Sequence, residues 1–381
     1  MIVSYDSHER ASSLDVLRGI AVLGILFINL YSFALPTDSR ASPLQLDNPS
    51  SLDTFFWYFL SVFVDGKCIS LLSLCFGASL GYFSRRHEQG NLQHRRLWWL
   101  GIIGCLHGYL LWSGDILFTY ALMGWIAWQW RELNQRQLVI VGALLVCSQS
   151  VLLLLLALLP AGFHQDWAFY ATTESVSEEM QQYRQSWIEQ FSSRATEYFG
   201  LQTAVIVSGW SNLGLMLIGM AMARQGWFSS IFHHSINKWL LLTLLSGFGL
   251  VFLSVYIGWL KDFPASYTFL SGGAMHLLGS MLMAIGYALL CIRYIHSNSC
   301  GLLCFLMGPV GKMAMSLYIF QTAVCTFIFF GYGTGLFAHF SLSQLMAFAG
   351  FFNALQILLA HYWLRYFSLG PLEYLWRRLA Y

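Results

Sequence analysis

Three polar side chains in the first apolar segment could bind a charged substrate. Asp15 precedes Arg18 by one helical turn, and Asn29 follows Arg18 by eleven residues. Eleven residues complete three turns plus about 20°, so Arg18 and Asn29 share one helix face, about 16 Å apart. Arg18 would then present a fixed cation to an anionic substrate. The alternative is that Arg18 pairs with Asp15 and only fixes the topology, while Asn29 makes an interhelical hydrogen bond.

A second group lies where one apolar segment ends and the next begins. His107 stands between Gly104 and Gly108, and Asp115 follows after a short turn. Small residues on both sides of His107 permit close approach of a neighbouring helix or a ligand. The imidazole either bridges two helices through hydrogen bonds or acts as a general base. Asp115 is expected to be the N-cap of the next helix, and it could also orient His107 or hold an amine substrate.

Lys67 and Gln321 are weaker candidates for substrate binding. Residues 52–83 form an apolar stretch of about 48 Å as helix, which exceeds the bilayer core of about 30 Å. We therefore expect a kink or turn at Asp65-Gly66-Lys67 and place Lys67 toward a cavity on the outer side. Gln321, in a later segment, is more typical of a packing hydrogen bond than of a ligand contact, as are His276, Asn353 and His361.

An apolar composition determines the elements that hold these residues. Of 381 residues, 57% are hydrophobic, 17% aromatic and 10% charged, whereas an ordinary soluble domain has about 25% charged residues. Too few polar residues remain to cover a soluble surface, which excludes a soluble enzyme, a disordered chain and a nucleic-acid-binding protein. The formal net charge of +2 indicates no polyanionic partner. The sequence therefore predicts an all-α, polytopic transmembrane helix bundle.

About ten membrane-spanning helices are expected, with both termini on the cytoplasmic side. When the N-terminus is placed inside, fifteen of the twenty Lys and Arg residues fall in the inside loops or at the inner ends of the spans, as the positive-inside rule requires. No Cys/His spacing fits a closed metal site, so no metal is expected. The predicted spans are residues 16–35, 67–83, 95–112, 115–130, 137–160, 198–223, 236–260, 271–295, 313–335 and 342–364.

The whole chain, residues 1–381, is expected to form a single transmembrane bundle with one long outer (periplasmic) loop at 161–197. Apolar residues recur in this loop at three- and four-residue steps, which predicts an amphipathic helix. The helix either lies on the outer membrane surface or covers an outward-facing cavity as a lid. The apolar stripe consists of Val176, Met180, Tyr183, Trp187 and Phe191.

At these motifs the sequence resembles the YeiB family of bacterial inner-membrane proteins. That family in turn resembles a wider group of transmembrane acyltransferases, which includes the type-three membrane acyltransferases and the heparan-glucosaminide N-acetyltransferase. The mark shared with this wider group is D-x-x-R-G in the first span, here Asp15 to Gly19. The segments that carry the resemblance to the YeiB family reach from near the N-terminus to the last residues: LDVLRGIAVLGILFIN (14–29), GCLHGYLLWSGDIL (104–117), GKMAMSLYIFQT (311–322) and GPLEYLWRR (370–378).

The resemblance implies an activity that the residues alone do not specify. It implies transfer of an acyl group from cytoplasmic acyl-CoA, with acetyl-CoA as the expected donor, to an envelope or sugar acceptor in a multi-pass protein of the bacterial inner membrane. In the polysaccharide enzymes a histidine follows the arginine by eleven residues, but Asn29 occupies that position here. An amide cannot act as a general base, so His107 is the expected base, with Asp115 and Asn29 as orienting or polarising partners.

Two other classes of function remain open. In a small-molecule transporter or permease, the same polar residues would line the path of the substrate. A membrane scaffold would use them only for packing. The expected partners are the lipid bilayer and a small-molecule or glycan acceptor, with a homodimer left open and no nucleic acid.

Overall fold

Helices contain most of the residues that the structure describes. A computed structural model covers residues 2–86, 90–160, 173–228, 233–297 and 301–381. Short 3-10 helices at Thr37–Arg40 and Pro43–Gln45 and a π-helix at Tyr267–Ser271 lie in connections. The described α-helices are α1 (Ile2–Ala34), α2 (Ser51–Phe63), α3 (Lys67–Arg86), α4 (Gly90–Leu110), α5 (Leu117–Gln129), α6 (Gln135–Ala157), α7 (Thr173–Tyr183), α8 (Glu189–Ser208), α9 (Trp210–Gln225), α10 (His233–Leu260), α11 (Gly272–Ser297), α12 (Leu302–Lys312), α13 (Ala314–Phe329), α14 (Leu342–Tyr366) and α15 (Pro371–Ala380).

The all-helical transmembrane fold is confirmed, and the chain is a membrane protein. Within the described residues, six helices are long and apolar enough to cross a bilayer, or up to eight if each of two bent pairs counts as one span. The expected spans at 95–112 and 115–130 correspond to α4 and α5, and α5 has only 13 residues. The count of ten and the cytoplasmic position of both termini stay predictions.

The first helix forms the centre of the bundle. In the most apolar window of α1, 67% of the residues are buried, against 22% in α6 and 28% in α10. Helix α1 packs against α3, α12 and α13, whereas α6 and α10 lie at the periphery and present Leu and Phe side chains outward. A central first helix therefore places Asp15, Arg18 and Asn29 inside the bundle rather than on its lipid-facing surface.

The predicted break at Asp65-Gly66-Lys67 is confirmed as a turn between α2 and α3. Gly66 has φ +76°, a left-handed conformation that glycine adopts without the clash of a Cβ atom. A Cβ atom there would also lie 3.0 Å from the Ser280 side chain. The two helices nevertheless continue as one apolar segment, Ser51–Ser84. The break therefore interrupts the backbone hydrogen-bond pattern more than it changes the direction of the helix axis.

Two predicted spans have different boundaries because each belongs to a bent helix pair. The expected span 198–223 falls on α8 and α9, whose axes meet at 59°. The expected span 313–335 falls on α13, which meets α12 at 75° and ends at Phe329. Apolar runs in the sequence do not show such bends, because both arms of a bent pair are apolar.

The predicted outer segment is helical where it is described. Residues 161–172 lie outside the described part of the chain, and the apolar stripe is divided between α7 and α8 rather than carried by one helix. The Tyr183 ring packs 4.7 Å from Phe330 and 4.5 Å from Phe337, measured between ring centroids. The Tyr183 side chain of α7 thus packs against the bundle, while the outer position of this segment and its role as a surface helix or a lid stay predictions.

Candidate functional site

His107, Asp115 and Thr322 form a buried hydrogen-bonded series. His107 Nδ1 lies 2.8 Å from Asp115 Oδ1, and His107 Nε2 lies 3.0 Å from the Thr322 hydroxyl oxygen. The side chains of His107 and Asp115 are 1% and 0% exposed. An ionised carboxylate only accepts hydrogen bonds, so with Asp115 ionised Nδ1 is the donor, and in the neutral imidazole the lone pair of Nε2 then faces Thr322. This geometry suits a neutral imidazole that acts as a base.

Asp115 performs both of the roles that its position suggests. Its Oδ2 accepts a hydrogen bond of 2.8 Å from the backbone N–H of Phe118, while Oδ1 holds His107. Helix α5 begins at Leu117, and Ile116 occupies the N-cap position. Asp115 therefore caps the helix from the position before the N-cap, whereas the sequence predicts that it is the N-cap itself. The bond to the helix N-terminus fixes the carboxylate, which in turn fixes the imidazole.

Small residues allow the elements around His107 to meet. A Cβ atom on Gly104 would clash with the backbone nitrogen of Phe118, and one on Gly108 would clash with the Tyr198 ring. The close approach predicted for these two glycines is therefore confirmed. It brings α4 against the start of α5 on one side and against α8 on the other.

A cationic cavity of about 470 Å³, here called the Arg18 cavity, opens beside the N-terminal half of α1. Arg18 donates to Asp15 at 3.0 Å and to the Ser79 hydroxyl, which confirms the expected pairing. The cations and acids that line it are Arg18, Arg96, Lys312, Arg377, Asp15 and Glu373. Among the described residues, Arg96, Lys312 and Arg377 form no ion pair, so the cavity presents uncompensated positive charge.

The wall of the Arg18 cavity is fixed by stacking and capping contacts. The Arg96 guanidinium lies 4.8 Å from the Phe83 ring centroid and 4.7 Å from that of Trp376. The Glu373 carboxylate accepts from the backbone N–H groups of Met315 at 2.7 Å and Ser316 at 3.1 Å, and so caps α13. The C-terminal helix α15 thereby becomes part of the cavity.

Tyr318 lies between the Arg18 cavity and His107. It lines the cavity, and its ring centroid is 5.2 Å from the centroid of the His107 imidazole. Its hydroxyl donates to the Gly114 carbonyl at 3.4 Å. His107 does not line this cavity. The Tyr318 ring therefore separates the cavity from the predicted base, which packs directly against that ring.

Contrary to the expectation from the sequence, Lys67 does not face a cavity. Its side chain is fully buried, and Nζ donates to the Ser61 carbonyl at 2.7 Å. At the helix break, the Asp65 N–H bonds to Leu60, which frees the Ser61 carbonyl to accept from both Lys67 and His276 Nε2. Lys67 therefore satisfies a carbonyl released by the break, because a buried carbonyl without a partner is costly.

Gln321 and Asn29 lie outside the Arg18 cavity. Gln321 Nε2 donates to the Val22 carbonyl at 3.2 Å and to Gln356 at 3.0 Å, as a packing contact would. Asn29 is partly exposed and forms no hydrogen bond among the described residues. The shared face predicted for Arg18 and Asn29 therefore does not place both in one site, because the cavity covers only the first part of that face.

Comparisons with known proteins place the chain in a family. Residues 222–381 match a family model described as a protein of unknown function, DUF418. Over 98% of the chain and 96% of the relative, it is 32% identical to the uncharacterized protein YeiB of Escherichia coli (strain K12). The chain belongs to the YeiB family. The uncharacterized protein YxaH of Bacillus subtilis (strain 168) is 27% identical over 98% of the chain and 95% of its own length.

Membership in the YeiB family does not supply an activity. The relatives named above are described as uncharacterized, and no solved structure matches the chain. The relation to the wider acyltransferase group therefore stays a prediction. In this YeiB-family chain, the sequence also left Thr322, Tyr318 and Arg96 unassigned. Thr322 directly follows Gln321 in the motif GKMAMSLYIFQT, and neighbouring residues on a helix point about 100° apart.

Proposed function

We propose that this protein is a membrane acyltransferase that takes an acyl group from cytoplasmic acyl-CoA and transfers it to an envelope or sugar acceptor. The observation that carries the proposal is the Arg18 cavity, which has several cations and Tyr318 in its wall, with His107 directly behind the Tyr318 ring. A multi-pass position in the bacterial inner membrane, with the Arg18 cavity on the cytoplasmic side, belongs to the same proposal.

The charges of the cavity suit the phosphate groups of the donor. The lining holds four cations against two acids, so the cavity carries a net positive charge, and guanidinium groups bind phosphate through paired hydrogen bonds. With the phosphates at these residues, the acyl end of the donor points inward toward Tyr318. The mixed lining of the inner part, which includes Leu72, Phe76 and Leu100, favours an apolar acyl chain or pantetheine arm.

His107 would act as the general base. Its Nε2 lone pair takes the proton of the acceptor hydroxyl or amine while the acceptor oxygen or nitrogen bonds to the thioester carbon. The carbon–sulfur bond then breaks, and the CoA thiolate receives a proton from the imidazolium. Asp115 holds the ring and stabilises the imidazolium. For contact with the donor, the Tyr318 ring has to swing out of its present position.

Release of CoA from labelled acetyl-CoA tests the proposal. The full-length protein, reconstituted in liposomes with envelope glycans, should release CoA and acylate a glycan. His107→Ala should lower the rate about 10²- to 10⁴-fold, the usual worth of a general base. His361→Ala is the matched control, because the ring nitrogens of His361 face the carbonyls of Ile357 and Phe305 and lie outside the Arg18 cavity. Absence of CoA release by the unmodified protein, or an unchanged rate in His107→Ala, would contradict the proposal.

Transport is the second candidate function, and one observation favours it. The Arg18 cavity and a second cavity at Arg40 lie toward opposite ends of Ser13–Ala34, the apolar part of α1, and the α2–α3 segment is broken near the second cavity. Broken helices beside cavities are typical of transporters. Gradient-dependent accumulation of a small molecule in vesicles without an acyl donor would support transport over acyl transfer.

A further inference from the structure

A second cavity, here called the Arg40 cavity, lies at the C-terminal end of α1 and is not used by the proposed reaction. It has a volume of about 400 Å³. Helices α2 and α10 contribute Trp57 and Ser254 to its walls, and the π-helix at Tyr267–Ser271 contributes Tyr267 and Thr268. Short π-helical stretches within helices are frequent at functional sites, which directs attention to this cavity.

An accessible ion pair lies in the Arg40 cavity. The Arg40 guanidinium donates to both carboxylate oxygens of Asp65, with Nε 3.4 Å from Oδ2. The Arg40 side chain is 45% exposed and the Asp65 side chain 18% exposed, so a ligand can reach both. A ligand with a single charge would be attracted by one member of the pair and repelled by the other. A zwitterionic group matches both at once.

The remaining polar and aromatic groups of the cavity suit such a head group. The Thr268 hydroxyl is buried and has no hydrogen-bond partner among the described residues, so it can donate to a phosphate oxygen. The rings of Trp57 and Tyr267 line the same space. Aromatic faces attract an ammonium group, because the ring quadrupole places negative charge on each face.

A ladder of aromatic rings runs beside the cavity, on the outer faces of the same two helices. Consecutive ring centroids are 5.3 to 6.2 Å apart, and one contact, Phe63 with Phe248, crosses from α2 to α10. All of these rings are at least 40% exposed. The aromatic ladder consists of Phe55, Phe59, Phe63, Phe248, Phe252, Tyr256 and Trp259.

The length of the ladder fits the acyl chains of one lipid leaflet. Phe55 and Phe63 are eight residues apart on α2, or about 12 Å, and Phe248 and Trp259 are eleven residues apart on α10, or about 16 Å. These distances are about half of the hydrocarbon core of a bilayer. We propose that the Arg40 cavity binds the head of a zwitterionic phospholipid, with its phosphate on Arg40, its primary ammonium on Asp65 and its chains along the aromatic ladder.

Lipid titration of the full-length, detergent-solubilised protein tests this site. Native mass spectrometry would give the affinity for phosphatidylethanolamine, phosphatidylcholine and phosphatidylglycerol of equal chain length. Phosphatidylethanolamine should bind about tenfold tighter than phosphatidylglycerol, a difference of about 1.4 kcal/mol. Asp65→Asn should remove this preference while it retains phosphatidylglycerol, and Thr268→Val should weaken all phosphate-bearing heads alike.

The double variant Arg40→Gln/Asp65→Asn removes one positive and one negative charge, so it leaves the net charge of the cavity unchanged and neither member of the pair without its partner. It therefore separates lost binding from lost folding. It should lose the phosphatidylethanolamine preference and keep the helix content and melting temperature of the unmodified protein. Arg131→Gln is the matched control, because Arg131 forms an exposed ion pair with Glu132 away from this cavity. Equal affinity for all three lipids, or an unchanged preference in the double variant, would overturn the proposal. Equal affinity would show that the protein contacts only the acyl chains of the lipids. Neither result bears on CoA release.

Discussion

At the scale of single residues, the two bonds of His107 decide what the imidazole can do. A histidine in an apolar helix is as readily a packing bridge as a base. Here Nδ1 is held by Asp115 and Nε2 by a hydroxyl, the order found in hydroxyl–imidazole–carboxylate catalytic series. The hydroxyl of Thr322 also lies 3.3 Å from the Tyr318 carbonyl, so it has another acceptor when Nε2 is engaged by a substrate.

Replacement of Asp115 by Asn should separate the effect of Asp115 on the His107 ring from its role as the cap of α5. The amide oxygen can still accept from the Phe118 N–H, so α5 keeps its cap, but the amide cannot stabilise an imidazolium. We expect acyl transfer to fall by a factor of about 10²–10⁴ with little change in melting temperature. The measurement is CoA release beside a thermal unfolding curve. Thr322→Ser, which keeps the hydroxyl, is the control, and equal loss in both variants would argue against the assigned roles.

Gly108 should be intolerant of even one methyl group. A Cβ atom there would clash with the Tyr198 ring, in a contact between α4 and α8 that has no slack. Gly108→Ala should destabilise the protein by about 1–3 kcal/mol, as overpacking does. Gly200→Ala is the matched control on α8, because nothing lies within 4 Å of the place that its methyl group would take. Thermal unfolding in detergent measures both, and an unchanged Gly108→Ala would show that the Tyr198 ring moves freely.

At the scale of elements, one carboxylate joins α7 to the connection that follows α1. Glu179 accepts from the Thr37 hydroxyl at 2.7 Å and from the Thr37 N–H at 3.2 Å. Burial against the bundle raises the pKa of Glu179 above its usual 4.5, although the bonds from Thr37 act in the opposite direction. The folded protein therefore binds this proton more tightly than the unfolded chain. Its contribution to stability is greater at low pH and is lost as the pH rises through the folded pKa.

Glu179→Gln should remove this pH dependence. The amide can still accept from Thr37 and carries no charge to desolvate, so the variant should be more stable than the unmodified protein at neutral pH. The difference in melting temperature should shrink as the pH is lowered toward the carboxylate pKa. The exposed neighbour Glu178, replaced by Gln, is the control and should show no such trend. A constant difference at all pH values would contradict the assignment.

At the scale of the whole molecule, the two cavities lie toward opposite ends of Ser13–Ala34, the apolar part of the central helix. Asp15, which lines the Arg18 cavity, lies about 28 Å along the helix from Ala34, where α1 ends, and Thr37 of the Arg40 cavity follows shortly after that end. This separation matches the hydrocarbon core of a bilayer. The two cavities are therefore expected to open on opposite sides of the membrane, and the positive-inside rule assigns the Arg18 cavity to the cytoplasm.

Cysteine labelling in intact cells tests this orientation. Leu44 lies in the connection between α1 and α2 and is 63% exposed, while the Glu132 side chain, between α5 and α6, is 82% exposed. In a background without Cys147, which is exposed, an impermeant maleimide should label Leu44→Cys directly. It should label Glu132→Cys only after permeabilisation. The reverse pattern would place the N-terminus outside, and labelling of both from outside would contradict the span assignment.

The sequence by itself determined the fold class, the helix break and the local pairs. The low fraction of charged residues indicates that most of the protein surface contacts lipid. A helix is stable in lipid because its backbone hydrogen bonds are formed within the helix. The Asp15–Arg18 pair and the turn at Gly66 depend on residues close in the chain, so their geometry follows from helix spacing and backbone sterics.

Only the tertiary structure decided which polar residues share a site. Thr322 lies 215 positions from His107, and Glu373 lies 58 from Met315, yet both pairs are in hydrogen-bond contact. Lys67, expected at a cavity, instead satisfies a carbonyl that the helix break releases. Helix periodicity gives the face of a residue but not the helix opposite that face, because this depends on how bent and tilted helices pack. Contacts between distant segments therefore had to be seen in three dimensions.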